Sequence, residues 1–450
     1  MTTKGSNRRL RISAEAPKKK SKPFFRINLN SFFLNCKGGA LFKNGEQAQK
    51  KAVFCGPSFL AKKSMIQMEH KKMRLPKAVS IWLLIGVVMV FAQVVIGGIT
   101  RLTDSGLSIT EWDVIKGVLP PIGAEQWDLA FEKYQKHTIQ YESIHADMTL
   151  SEFKFIYFWE YFHRLWARSM GFVFLFPFLY FWRKKWLPAG LMRKLGGVVA
   201  LAALAAVFGW IMVSSGLNTE EYVWVNAYRL TTHLSIAISL LALLFWASLK
   251  VWQPETKDAY HRILRKRAWQ ITALIGLQLV LGGLMSGMKA GYVAPHFPHM
   301  EVAADGSWQW FSDVLYQSGE WKWENLLRYN KNAFAPALIQ VFHRFTAYVL
   351  AILIPLLAWR IHRSKVSARL RVANVLLLLV LAIQVGLGIF TVINSVGGSE
   401  IFPTLGVLHQ AGGMLLLLAM LYLNYQFSEG GYLATKKVES GPKAKEKALA

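Results

Sequence analysis

Within the stretch Tyr157-Phe-Trp-Glu-Tyr-Phe-His-Arg164, Glu160 and His163 stand three residues apart. On a helix, positions i and i+3 share a face. A carboxylate and an imidazole on one face can move protons, or one can orient the other toward a metal. The stretch opens an apolar run that continues to Trp182, long enough to cross a bilayer. Ionisable groups inside a membrane helix are costly, so they read first as a functional site facing the protein interior. Three further apolar runs each carry one histidine near the same end: His233, His343 and His409.

Four histidines in four runs need a scaffold that brings them together, and the composition says which kind. The 450-residue chain is 53% hydrophobic and 18% charged, with its apolar residues in long blocks. That is the profile of a polytopic membrane protein. The net charge of +27 does not point to nucleic acid, because the basic residues lie in tails and short loops between apolar runs. The two cysteines, Cys36 and Cys55, both precede the first run. A thiolate site or disulfide inside the membrane unit is thereby excluded, and a buried metal there needs nitrogen or oxygen ligands.

The pattern predicts an all-α membrane protein of eight transmembrane helices, arranged as two repeated four-helix bundles. The runs lie near 79–99, 155–182, 195–215, 229–249, 267–287, 335–359, 371–393 and 404–426. Residues 1–75 form a basic extension, 76–255 and 256–427 the two halves, and 428–450 a basic tail. The extension reads either as a mitochondrial-type transit segment or as a dispensable addition upstream of Met65, Met68 or Met73. Basic clusters such as Arg183-Lys-Lys185, Arg262 to Arg267 and Arg360 to Arg371 fall on one side when there are eight spans. Both termini are then expected on the cytoplasmic or matrix side. The two long outer connections, about 102–154 and 288–334, hold Trp112, Trp127, Trp308, Trp310, Trp321 and Trp323, and are expected to form short interfacial helices.

The halves repeat. Gly97-Gly98 in the first run matches Gly282-Gly283 in the fifth, and Phe162-His-Arg164 in the second matches Phe342-His-Arg344 in the sixth. His233 in the fourth run pairs with His409 in the eighth. All four histidines sit in the outer portion of even-numbered spans, so two imidazoles in each half face across a bundle. Bis-histidine ligation of a heme suits that arrangement; the alternative for any single membrane histidine is hydrogen-bonded packing or a proton relay. Where the first half has Glu160, the second has Gln340. A carboxylate exchanges protons and an amide does not, so the first half is the better place for chemistry and the second for a permanent cofactor. Glu160 is either catalytic or a partner that orients a ligand histidine. Arg164, Arg344 and Arg229 read as partners of heme propionates or as side chains snorkelling to headgroups. His296 and His299, in the second long connection, read as surface residues, with a heme-edge role as the lesser alternative.

The segment Gly97-Gly-Ile-Thr-Arg-Leu-Thr-Asp-Ser-Gly-Leu-Ser-Ile-Thr-Glu-Trp112, followed by Pro120-Pro121, resembles the heme A synthases of mitochondria and many Gram-negative bacteria. So do Glu152 to Tyr161 with His163-Arg164, Tyr228-Arg-Leu-Thr231 with His233-Leu234, Gln340-Val-Phe-His-Arg344 and Leu408-His-Gln-Ala411. The likeness covers about residues 75–427. It implies oxidation of the C8 methyl of heme O to a formyl group by two hydroxylations, giving heme A for cytochrome c oxidase. It implies heme b on His343 and His409, substrate iron on His163 and His233, and proton transfer assisted by Glu160. It also implies a ferredoxin or another membrane-linked electron donor, and a heme O synthase (a farnesyltransferase) as supplier. The setting is the bilayer of a bacterial inner membrane, or the mitochondrial inner membrane; a homo-oligomer is compatible with all of this. The cysteine pair that some relatives carry in an outer loop is absent here, so a mechanism built on it does not carry over. The rival reading is a diheme b-type electron-transfer protein, which explains the repeat but not the contrast of Glu160 with Gln340.

Overall fold

The structure is a computed structural model that describes residues 75–111, 119–217, 223–253, 261–396 and 399–427. The basic extension with both cysteines and the three methionines, Trp112, and the basic tail lie outside the described residues.

Among the described residues, eight helices are long and apolar enough to cross a membrane. They are α1 (Lys77–Leu102), α4 (Leu150–Arg183), α5 (Ala189–Leu217), α6 (Ala227–Trp252), α7 (Arg262–Gly287), α10 (Phe334–His362), α11 (Ala368–Ile393) and α12 (Phe402–Gln426). Each predicted run is present and most extend several residues further. The chain is thus an all-α multi-pass membrane protein. The first outer connection carries α2 (Ala124–His137) and α3 (Ile139–Ile144), and the second α8 (Phe311–Ser318) and α9 (Trp323–Leu327). The second also holds a two-strand pair, β1 (Glu301–Val302) antiparallel to β2 (Trp308–Gln309), too short to leave an alternating pattern in the sequence.

Local chemistry sets the helix starts. Thr149 and Glu152 form a reciprocal capping box at the head of α4. Asn226 accepts from the amides of Tyr228 and Arg229 at the head of α6, and Ser367 from that of Leu370 at the head of α11. With no water to drive helices together in a bilayer, close packing of small residues does so. Gly283 and Gly287 of α7 lie against Thr231 and Ala227 of α6; a Cβ on Gly287 would come within 2.7 Å of the Ala227 Cβ. Gly98 of α1 lies as tightly on Gln410 of α12, whose side-chain amide donates to the Val94 carbonyl at 2.7 Å. The two repeats therefore meet through α1 and α6 on one side and α7 and α12 on the other. The described residues form one compact unit.

Candidate functional site

A cavity of 1280 Å³ runs between the helices and is lined by all four histidines, with Glu160, Arg164 and Arg344 also on its wall. Its lining is mostly apolar, and it exceeds the few hundred to about 1,000 Å³ of ordinary small-molecule sites. Each histidine stands opposite a glycine. Added Cβ atoms at Gly97, Gly209, Gly282 and Gly388 would lie 3.0, 3.1, 3.5 and 2.9 Å from Cε1 of His163, His233, His343 and His409. The missing side chains are what let the imidazoles lie flat against the neighbouring helix.

The imidazoles are held from behind. Gln93 Nε2 is 3.2 Å from both ring nitrogens of His163, and Gln278 Nε2 is at the same distance from both of His343. Both amides also bond the backbone carbonyl of their histidine. Gln384 Nε2 lies 3.1 Å from His409 Nδ1. His233 differs: its Nδ1 donates to the Ala205 carbonyl at 2.9 Å. Ala205 occupies the place in α5 that Gln384 occupies in α11, each four residues before the glycine. Sequence reasoning missed these positioning residues. The signal was there as Gln-x3-Gly at Gln93, Gln278 and Gln384, repeated in three odd-numbered spans.

These residues fit an iron porphyrin. The His343 and His409 ring centroids are 6.3 Å apart. Two imidazoles ligating one metal from opposite sides, each nitrogen about 2 Å from it, put their centroids roughly 6 Å apart. The side-chain oxygens of Gln93, Gln278 and Gln384 are buried without a partner. With its amide oxygen and nitrogen exchanged, Gln384 accepts from His409 Nδ1–H, which leaves Nε2 for a metal; Gln93 and Gln278, equidistant from both ring nitrogens, lie on the ring face and keep their bond to the histidine carbonyl. His163 and His233 line the same cavity. Among the described residues, three or more His, Cys, Asp or Glu side chains gather nowhere as a metal cage; a heme needs only two.

Glu160 is buried, and three donors converge on it. Oε2 accepts from Ser108 Oγ at 2.8 Å and the Ile109 amide at 2.9 Å, and Oε1 from Arg164 Nη2 at 2.6 Å. Arg164 also donates to the carbonyls of Glu111 and Ile109. The second half uses the same device on its own loop. Gln340 donates to the Ala294 carbonyl, and Arg344 to the carbonyls of Ala294, His296 and His299. Both arginines therefore clamp an outer loop over the cavity, a contact neither sequence reading anticipated. The Glu160–Gln340 contrast gains a second physical basis, since one loop presents an N–H and the other a C=O. Arg229 donates to the Ile211 carbonyl at the end of α5. His296 and His299 stack on each other and His299 on Trp308, beside the cavity wall rather than on it.

One bridge joins the halves at the cavity's edge. Asp104 accepts from Arg101 and from Lys289, each at 3.3 Å, and Arg101 donates to the Ser286 carbonyl at 2.8 Å. Asp104 and Lys289 each follow their double glycine by the same number of residues, and both have positive φ, 52° and 50°. Lys289 also lies over the Trp224 ring, 3.8 Å from its centroid. Burial lowers the Lys289 ammonium below its ordinary value, and Asp104 opposes that.

The family described as cytochrome oxidase assembly protein matches residues 80–421. The chain belongs to the heme A synthase family. The heme A synthase of Nitrosospira multiformis is 38% identical over 371 residues, covering 82% of this chain and 98% of the relative. That of Nitrosomonas eutropha is 39% identical over 350 residues, 77% of this chain and 92% of its own. Human heme A synthase COX15 is 35% identical over 356 residues, 77% and 82% respectively. The residues that the family matches include most or all of each of the eight membrane helices and every histidine described above.

Proposed function

We propose that the chain is a heme A synthase that oxidises the C8 methyl of heme O to a formyl group. What carries the reading is one continuous cavity lined by two pairs of histidines, with different partners in each half. In this reading His343 and His409 hold heme b, and His163 and His233 hold the iron of heme O. A heme b so held supplies one-electron transfer between an outside donor, such as a ferredoxin, and the reacting porphyrin. The protein's residues supply the rest. The Ala205 carbonyl accepts a hydrogen bond from Nδ1–H of His233 and so leaves Nε2 for the cavity. Gln93, Gln278 and Gln384 fix the other three rings. Glu160 lines the cavity three residues from His163 and is the group assigned to move a proton at the substrate. Arg164 and Arg344 hold the outer loops closed and offer guanidinium edges to propionates.

The experiment is to purify the full chain, extract its porphyrins and supply heme O with a reductant and oxygen. Heme B together with heme O, a hydroxylated heme or heme A is expected. Heme B alone, with added heme O unchanged, would replace this reading by electron transfer between two hemes. His343→Ala and His409→Ala are each expected to abolish the heme b absorption bands. Glu160→Gln is expected to keep those bands and lose formyl formation by about two orders of magnitude, the usual size of a general acid–base contribution. Full heme A yield from that variant would reduce Glu160 to a loop anchor. The basic clusters at Arg183 to Lys185 and Arg262 to Arg267 support both termini on the cytoplasmic or matrix side; protease protection of either tail tests it.

A further inference from the structure

The repeats differ in one place that the reaction above leaves unused. In the second half, α10 packs against α11. Leu350, Ile354, Leu357 and Ile361 of α10 share one core with Leu370, Leu377 and Leu381 of α11. Asn374 of α11 also donates to the Ala358 carbonyl of α10 at 3.0 Å, which pins the pair. In the first half the equivalent helices, α4 and α5, make almost no contact. The residues explain it. Where α11 has Asn374, α5 has Leu195, and where α11 has Leu381, α5 has Ala202. Near the Lys184–Pro188 turn the pair is closed by Phe181 of α4 with Leu191, Leu195 and Val198 of α5 in a shared core, against which Phe174 and Phe178 of α4 and Leu201 of α5 also pack.

Beyond that end the two backbones stand apart and residues from both helices line the cavity. Gly171, Val173 and Leu175 of α4 and Val199, Ala203 and Val207 of α5 line the cavity and leave much of their surface uncovered. Val207 is 51% exposed and Leu175 48%. The cavity-lining residues of α10 and α11 reach that class only at Tyr348 and Val385. A resident cofactor needs no door, whereas a substrate that must be exchanged does. In a bilayer the surroundings of this seam are lipid tails, which admit an apolar chain and exclude charge.

We infer that the seam between α4 and α5 is the lateral passage by which a porphyrin bearing a long isoprenoid tail reaches His163 and His233 from the bilayer, and that the tail stays lodged in it. This rests on heme O being the substrate and adds the route. The polar edge of the porphyrin meets the loop clamp of Glu160 and Arg164, and the tail lies along small residues of α5, where the second half carries Leu381 instead.

The test uses the full chain in lipid nanodiscs with heme O as probe and heme B, which lacks the tail, as comparison. Gly171→Trp puts bulk into the seam at a point where an added Cβ meets nothing within 4 Å. Heme O uptake, followed by absorbance, is expected to slow at least tenfold in this variant, heme B uptake less, and the bands of resident heme b not at all. A photoreactive benzoylphenylalanine at Val207 is expected to give a covalent adduct with heme O by mass spectrometry. The same group at Ile383 of α11, also exposed, is expected to give none. Equal uptake by Gly171→Trp and the native chain overturns the passage. So does an adduct at Val207 only with a second copy of the chain, or only with lipid. A native chain that takes up no heme O overturns the substrate assignment and the passage with it, whereas native uptake with an indifferent Gly171→Trp overturns the passage alone.

Discussion

At the scale of single residues, the site is built on absences as much as on side chains. Four imidazoles lie against four glycines, but the margins differ. At Gly388 a Cβ would stand 2.9 Å from His409 Cε1, closer than such contacts occur, and at Gly282 it would stand 3.5 Å from His343 Cε1, an ordinary contact. Gly388→Ala must displace His409, at a cost of about 1–3 kcal/mol by the scale of overpacked cores. Heme b retention in detergent is expected to fall at least tenfold in Gly388→Ala and to stay within about twofold of native in Gly282→Ala, since about 1.4 kcal/mol is a factor of ten. Equal retention in both variants would mean that the glycine at 388 serves something other than the imidazole. The histidines and Glu160 were legible in the sequence because ionisable residues stand out in apolar runs. Gln93, Gln278 and Gln384 were not, because an uncharged amide in a membrane helix draws little notice without a partner in view. The loop clamp by Arg164 and Arg344 was hidden for another reason: its acceptors are backbone carbonyls, which have no residue type.

Among the elements, the spans were legible almost to their ends, since length and hydropathy alone define them. The outer connections were expected to hold short helices and do, but where those helices start and stop was not legible, because local tertiary packing fixes them. The first of them rests on Tyr134, Phe153 and Ile156, all buried. Tyr134 Oη bonds His145 Nδ1 at 2.6 Å, and burial holds the His145 pKa below the ordinary 6.5, with Lys289 also lowering it and Asp104 and Glu152 raising it. A depressed folded value means that the opened loop takes up the proton more readily than the packed one. The contribution of His145 is therefore complete above the ordinary value and is lost as the pH falls below it toward the folded value. Amide exchange across α2 and α3, corrected for intrinsic rates, is expected to show more opening at about pH 5 than at about pH 8. His145→Gln is expected to remove most of that difference. A loop equally protected at both values would show that the imidazole is not what closes it.

For the molecule as a whole, duplication was visible in the sequence, but the way the copies join was not. Glycine pairs and histidine motifs recur within each half, whereas the join also depends on matched positions where the two copies carry different residues. Asp104 and Lys289 stand at corresponding places and carry opposite charge, so they meet across the boundary, with Arg101 reaching the far helix end. Both carboxylate and ammonium side chains are 24% exposed, so their attraction is only partly screened. Asp104→Asn leaves two cations facing a neutral amide, and the loss of charged hydrogen bonds of this kind costs about 1.5–3 kcal/mol. A drop of several degrees in the thermal midpoint of the heme-loaded protein is expected. Lys289→Gln alone is expected to cost less, because Arg101 still serves Asp104. The double variant is expected to be less destabilised than the sum of the two, as two groups in one network require. Strict additivity would show that Asp104 and Lys289 do not hold the halves together, and would leave that task to the close packing of Gly283 and Gly287 on α6 and of Gly98 on α12.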